Sequence, residues 1–252
     1  TENKNVALGI STLVSNTSGG GNHAIGHHAL MSNTTGSGNF AVGIGALQTN
    51  TDGSNNIALG NEAMETLEDG SKNIAIGIGS MYNGTISSGN TMLGYQTGYN
   101  NTSGDNNIFI GYKAGYNESG SNKLYIDNSN TVSPLIYGDF DSNILGFSGN
   151  VGINTKNPLA ELQVHNNATD STTIMVTPQN TTSGGISRIL LTEDHDGTYG
   201  MLWRYNGIGS TNRMELWGKS SNNYYGPHMT IDRNDGDITI SGDMDLEGDI
   251  EM

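Results

Sequence analysis

Asn56-Ile57-Ala58-Leu59-Gly60 is followed, 17 positions on, by Asn73-Ile74-Ala75-Ile76-Gly77, and the same frame slides along the first half of the chain in both directions. It returns Asn5, Asn22, Asn39, Asn56, Asn73, Asn90 and Asn107. Each is followed four residues later by Gly9, Gly26, Gly43, Gly60, Gly77, Gly94 or Gly111. Eight residues after each Asn stand Leu13, Leu30, Leu47, Met64, Met81, Gly98 and Gly115, while Gly19, Gly36, Gly53, Gly70 and Gly104 share one loop phase. Seventeen residues are too few for a helix pair. Each unit therefore reads as one coil of a β-solenoid, with a short strand, a second short strand and a Gly/Asn/Ser/Thr turn.

Period-2 geometry sends the first and third residues after each Asn to one face of the first strand, and the Ala and Gly positions to the other. Both faces are uncharged, and only His23 and Thr91 are polar, as in a strand buried on both sides. A narrow coil covers one face with its own second strand, which leaves the other for a neighbouring chain. The expectation is a homo-oligomer, with threefold symmetry the usual arrangement of such rolls. The repeated Asn reads as a turn residue bonded to the local backbone and stacked in ladders. Gly60 is expected to be intolerant of a side chain and Ser54, in the loop, to be indifferent to one.

Composition narrows the rest. Of 252 residues 37 are Gly, 33% are hydrophobic and 14% charged, which excludes a helical protein and a highly charged disordered one. There is no Cys, hence no disulfide or thiolate metal site. Twenty-five acidic residues against 10 basic give a net charge of −15, which opposes binding to nucleic acid or to an anionic membrane. No apolar run suits membrane insertion, and Thr1-Glu2-Asn3-Lys4 has no signal-peptide character. The missing initiator Met reads as that of a soluble portion of something longer.

After the rod segment at 1–122, residues 123–165 read as a capping transition. Leu124, Tyr125, Ile126, Leu135, Ile136, Tyr137, Phe140 and Phe147 arrive where an exposed ladder needs covering, and Pro134 and Pro158 interrupt regular structure. Residues 166–236 carry longer alternating strands (Thr172 to Val176, Ser187 to Thr192, Thr198 to Tyr205, Arg213 to Trp217, Tyr224 to Ile231) and read as a small antiparallel sandwich. From 237 to 252 strict alternation puts Asp243, Asp245, Glu247, Asp249 and Glu251 on one face, the start of a trimeric β shaft. The fold class is thus all-β: a homotrimeric β-solenoid of seven 17-residue coils, a sandwich, then a shaft.

The repeats resemble the heads of trimeric adhesins and, more closely, the N-x-A-I-G-x-x-A coils of phage tail fibres and related bacterial surface proteins. Those fibres are of the type that carries an endosialidase-type intramolecular chaperone. Lys123-Leu124-Tyr125-Ile126-Asp127-Asn128 with Pro134-Leu135-Ile136-Tyr137-Gly138-Asp139-Phe140, and Gly149-Asn150-Val151-Gly152-Ile153-Asn154-Thr155 leading to Pro158 and Leu162-Gln163-Val164, extend the resemblance to about residue 165. It implies a fibre of a virion or a cell surface that attaches to a glycan or protein receptor. No chaperone segment is present in the sequence.

Chemical candidates are few. Trp217 and Glu215 share a strand face, and with Tyr224, Tyr225 and His228 they form the candidate ligand patch, Trp217 exposed for stacking on a sugar and Trp203 the buried anchor. His23, His27 and His28 could meet across a threefold axis, but packed or exposed histidines are the default. Glu193-Asp194-His195-Asp196-Gly197 lacks Ca²⁺-loop spacing and reads as a hairpin turn. Asp139 and Asp141 fall in a turn, and no hydrolase motif occurs. The expected function is a structural, receptor-binding fibre segment without enzymatic activity, metal or cofactor. A polysaccharide-degrading spike and a non-binding spacer are the alternatives.

Overall fold

The computed structural model describes residues 4–164, 186–192, 200–206, 213–220, 223–232 and 237–241. These are all-β, and among them no helix is long and apolar enough to cross a membrane. The chain divides into two compact units, Thr1–His165 and Asn166–Met252.

The first unit is the solenoid. Its coils contribute β1 (Val6–Leu8), β2 (His23–Ile25), β3 (Phe40–Val42), β4 (Ile57–Leu59), β5 (Ile74–Ile76), β6 (Thr91–Leu93) and β7 (Ile108–Ile110), each three residues long. Neighbours pair in parallel with a constant offset, Ala41 beside Ala58 and Ala58 beside Ala75. The Ala column points inward and is fully buried from Ala24 onward, whereas the larger aliphatics on either side of it point out.

The expected second strand of each coil is not formed. Ser11, His28, Glu62, Gln96 and Lys113 in one column, and Leu13, Leu30, Leu47, Met64 and Met81 in the next but one, have φ between +50° and +62°. Left-handed residues at alternate positions curl the chain instead of extending it, at a cost of roughly 1–2 kcal/mol each. That cost is offset because the curled segment still bonds the next coil, Leu30 N donating to Ala46 O and Ser32 N to Gln48 O, both at 3.0 Å. The side chains of this second column fill the core opposite the Ala column.

Core volume is conserved by exchange across the coil. Where the strand column grows from Ala75 to Met92 and Phe109, the opposing column shrinks from Met81 to Gly98 and Gly115. A Cβ at Gly98 would lie 2.7 Å from Met92 Sδ, and one at Gly115 would strike the Phe109 ring. Interiors packed to crystal density tolerate such enlargement only when the facing residue retreats.

The repeated Asn is fully buried from Asn22 onward and bonds the next coil rather than its own turn. Asn39 N donates to Asn22 Oδ1 at 2.9 Å, while Asn22 Nδ2 donates to Gly36 O at 2.8 Å. A second column, Asn16, Asn33 and Asn50, is linked side chain to side chain at 2.8 Å. It stops at Leu67, which cannot donate, and Asn50 Oδ1 is accordingly left buried without a hydrogen-bond partner.

The cap departs from the repeat by one residue. β8 (Lys123–Ile126) pairs in parallel with β7, Ile108 beside Leu124, an offset of 16. β9 (Ile136–Asp139) and β10 (Ile144–Phe147) then add antiparallel strands to the same ten-stranded sheet. Phe109, Tyr125 and Tyr137 continue the core as a tilted aromatic series with centroids 5.2 and 5.6 Å apart. Lys123 Nζ meets Asp139 Oδ2 at 2.8 Å across the β8–β9 pair and holds that carboxyl below the usual carboxylate range. A short parallel pair, β11 (Val151–Ile153) with β12 (Leu162–Val164), completes the unit.

The described strands of the second unit, β13 (Ile186–Thr192), β14 (Gly200–Asn206), β15 (Arg213–Ser220), β16 (Asn223–Asp232) and β17 (Ile238–Ile240), form one antiparallel meander in chain order. Among the described residues there is a single sheet, not the two layers of a sandwich. The expected strand Thr172 to Val176 lies outside them. Ile238–Ile240, assigned by the sequence to a shaft, pairs antiparallel with β16 as the fifth strand.

Candidate functional site

Strand register brings the five sequence candidates to one corner of the meander. Gly218 pairs with Tyr225 and Lys219 with Tyr224, whereas Leu216 pairs with Met229. The register slips between Leu216 and Gly218, so Trp217 stands opposite a bulge that contains His228. Trp217 and Glu215 share a face as expected, and Trp217 Nε1 donates to Glu215 Oε2 at 3.0 Å.

Burial runs opposite to the expected assignment. Glu215 is only 6% exposed and Trp217 is half-buried, whereas Trp203, read from sequence as the buried anchor, is 38% exposed on the face that also carries exposed Met214. Antiparallel pairing puts Trp203 beside Leu216, on the opposite face from Glu215 and Trp217. Alternation alone cannot tell which face of a lone sheet is covered. Trp217→Ala should therefore lower the melting temperature of the isolated chain more than Trp203→Ala, because it removes a bond to a buried carboxylate, worth about 1.5–3 kcal/mol. Thermal unfolding followed by Trp fluorescence and circular dichroism checks the order.

The histidines are not assembled within one chain. His27 and His28 stack at 3.7 Å and His23 lies 5.9 Å from Phe40, and among the described residues no group of three or more His, Cys, Asp or Glu comes together. Glu193 to Gly197 lies outside the described residues. Asp139 is engaged by Lys123 and by the amides of Asp141 and Ser142, which makes it part of the cap's register lock.

Two features mark the surface of the solenoid, an outward apolar face that repeat position indicates and an aromatic column that it does not. The outer face carries largely apolar columns: Val6, Phe40, Ile57 and Ile74 in one, broken by His23 and Thr91; Leu8, Ile25 and Leu93 in the next; and Ile10, Ile44 and Ile78 in a third, where His27 and Asn61 alternate with them. Ile57 is 37% and Ile44 54% exposed. Near the cap, Tyr82, Tyr99 and Tyr116 stack with centroids 4.9 and 5.0 Å apart and planes within 3°. Tyr95 and Tyr112 form a parallel column at 5.5 Å, and Lys113 Nζ sits 5.4 Å from the ring centres of both Tyr112 and Tyr116. A hydrogen bond to Glu65 raises the Tyr82 hydroxyl pKa, and burial raises that of Tyr99. The signal was present in the sequence as Tyr recurring every 17 residues from 82, but only in the last three coils.

The same end of the solenoid is hollowed. An open cavity of about 470 Å³ lies between Tyr125, Tyr137, Phe147 and the turn around Pro134, and a smaller one of about 100 Å³ shares Tyr125 and Val132 with it and is bordered by Tyr116 and Glu118. Tyr125 OH donates to Glu118 Oε2 at 2.6 Å, and burial, reinforced by that carboxylate, raises its pKa and keeps the hydroxyl protonated. Comparison with known protein families, with curated proteins and with solved structures finds no match to this chain.

Proposed function

We propose that the chain is a structural, receptor-binding segment of a homotrimeric extracellular fibre, of the kind found in virion tail fibres and cell-surface adhesins. The observation that carries this reading is the set of apolar columns on the outside of the coils. Contiguous apolar surface running through successive repeats is costly in water, at roughly 25 cal/mol per Å², and its burial is the ordinary driving force for association. A solenoid presents each column at a constant 17-residue step, so chains packed side by side in parallel match repeat to repeat. Threefold closure leaves no chain with that face open. The resemblance of the Asn-x-Ala-x-Gly coils to fibre repeats supports the attachment role.

Sedimentation at micromolar concentration tests the assembly. Three chains of 26.6 kDa should sediment together as a particle of about 80 kDa. Ile57→Asp, on the outer face, should release monomers whose circular dichroism retains the β signature. A compact wild-type monomer, or a trimer indifferent to Ile57→Asp, overturns the reading. Adhesion of the labelled chain to whole cells tests attachment separately.

A further inference from the structure

We propose that the aromatic cleft at the capped end of the solenoid is a binding site for a neutral, linear oligosaccharide, whose continuation lies along the Tyr116, Tyr99 and Tyr82 column. This rests on the attachment role proposed above and gives that role a site in the solenoid unit, whereas the Trp217 corner belongs to the second unit.

The larger hollow combines the two chemistries that a sugar requires. Tyr125, Tyr137, Phe147 and Pro134 supply apolar walls for the C–H faces of a pyranose, and Ser133 and Ser148 supply hydroxyls. Ser148 Oγ donates to Pro134 O at 2.7 Å, which fixes the hydroxyl and leaves both of its lone pairs as acceptors in a defined orientation. In the smaller hollow Glu118 is fixed from two sides, by Gly120 N at 2.7 Å and by Tyr125 OH at 2.6 Å. Its carboxylate keeps acceptor capacity for sugar hydroxyls, and being already oriented it needs no reordering on binding.

Charge selects against acidic sugars. No Lys, Arg or His lines either hollow, Glu118 is an anion, and the whole chain carries a net charge of −15. An anionic ligand would meet repulsion in the hollows, because the nearby cations are already engaged, Lys113 over the Tyr116 ring and Lys123 with Asp139.

The tyrosine column sets the length of the ligand. Tyr116 borders the smaller hollow and is the last ring of the stack, so the column leaves the cleft along the coils. Because the rings stack on one another, they offer edges and hydroxyls in a row with a step of 4.9–5.0 Å rather than open faces. An extended 4-linked hexose chain advances by a comparable step, so successive sugars meet successive hydroxyls. The cleft holds one end by stacking, and the column adds to affinity one residue at a time.

The test is isothermal titration of the full chain with cello-oligosaccharides and malto-oligosaccharides from monomer to hexamer, with sialyllactose as the anionic comparison. The expected result is binding by one neutral series that tightens with length, and none by sialyllactose. Phe147 is 52% exposed, so Phe147→Ala should leave folding intact and weaken the hexamer at least about tenfold. Tyr99→Phe, which keeps the ring, should flatten the length dependence, and Trp217→Ala should change neither. No binding by either neutral series, or binding unaffected by Phe147→Ala, overturns the site. Cell adhesion separates the two readings: adhesion lost in Trp217→Ala but kept in Phe147→Ala overturns the cleft and leaves attachment standing, whereas absence of adhesion in the wild type alongside oligosaccharide binding overturns attachment and leaves the cleft.

Discussion

Gly60→Val is expected to abolish the folded solenoid, read as loss of soluble protein and of the cooperative thermal transition. Two independent penalties meet at this position. Its φ is +139°, a backbone region that costs a side-chain-bearing residue about 1–3 kcal/mol. A Cβ there would also stand 2.5 Å from Gly77 O in the next coil, which is backbone and cannot turn aside. Relief would require these two coils to separate, breaking bonds such as Gly77 N to Leu59 O at 2.8 Å. The total exceeds about 4 kcal/mol, in the range reserved for severe lesions. Ser54, expected from its loop position to be indifferent, does not serve as the comparison: its Oγ accepts Ser37 N at 3.0 Å in a ladder that continues through Ser71 and Ser88. Ser103 is exposed and outside that ladder, and Ser103→Val should shift the transition by less than about 0.5 kcal/mol. Similar losses at Gly60 and Ser103 would contradict the coil register.

Asn56→Ala carries the second largest expected effect, a loss of about 2–5 kcal/mol measured by urea unfolding. Asn56 is fully buried and closes three coils at once. Its Nδ2 donates to Gly70 O at 2.8 Å, its Oδ1 accepts Asn73 N at 3.0 Å, and its own amide donates to Asn39 Oδ1 at 2.9 Å. Truncation leaves a buried carbonyl and a buried amide without that partner, and replacing an interior polar side chain by a void restores neither. Asn83→Ala should cost far less, since it sits in a half-buried column and bonds only to the Asn100 side chain, at 2.8 Å. If the two changes cost the same, burial is not what makes the repeated Asn necessary.

The repeat was legible because Asn and Gly occupy backbone positions that no other residue fills equally well, so the 17-residue frame survives even where the side chains between them change. What lies between was less legible. Leu30, Leu47 and Met64 look like a strand's apolar residues, yet left-handed φ values are unusual for such side chains, and propensity argued against the curl that coil-to-coil bonding imposes. Gly98 and Gly115 were visible as members of the Leu column, but their replacement by Met92 and Phe109 across the core is a relation between two columns, which reading either column alone does not reveal. At the second unit the limit was different. Alternation placed Glu215 with Trp217, and strand pairing set Trp203 on the other face, but which face is covered depends on what packs against the sheet, and burial of Glu215 reversed the expectation. The cleft drew on Glu118, which replaces Asn in a column of the last coil, and on Tyr125 and Phe147, which belong to no repeat and are brought to that end by β8 to β10.

The constant register of β1 to β7 has a genetic corollary. Ile57 pairs with Ile74, and Phe40 with Ile57, in the same alignment, so excising the 17 residues from 56 to 72 would join Val42's coil to Ile74's with every backbone partner replaced by its equivalent. Unequal recombination between neighbouring repeats therefore yields a shorter or longer rod in one step, with the cap and its cleft unaltered. Solenoid length can thus change by whole coils while the sheet order of the cap stays the same.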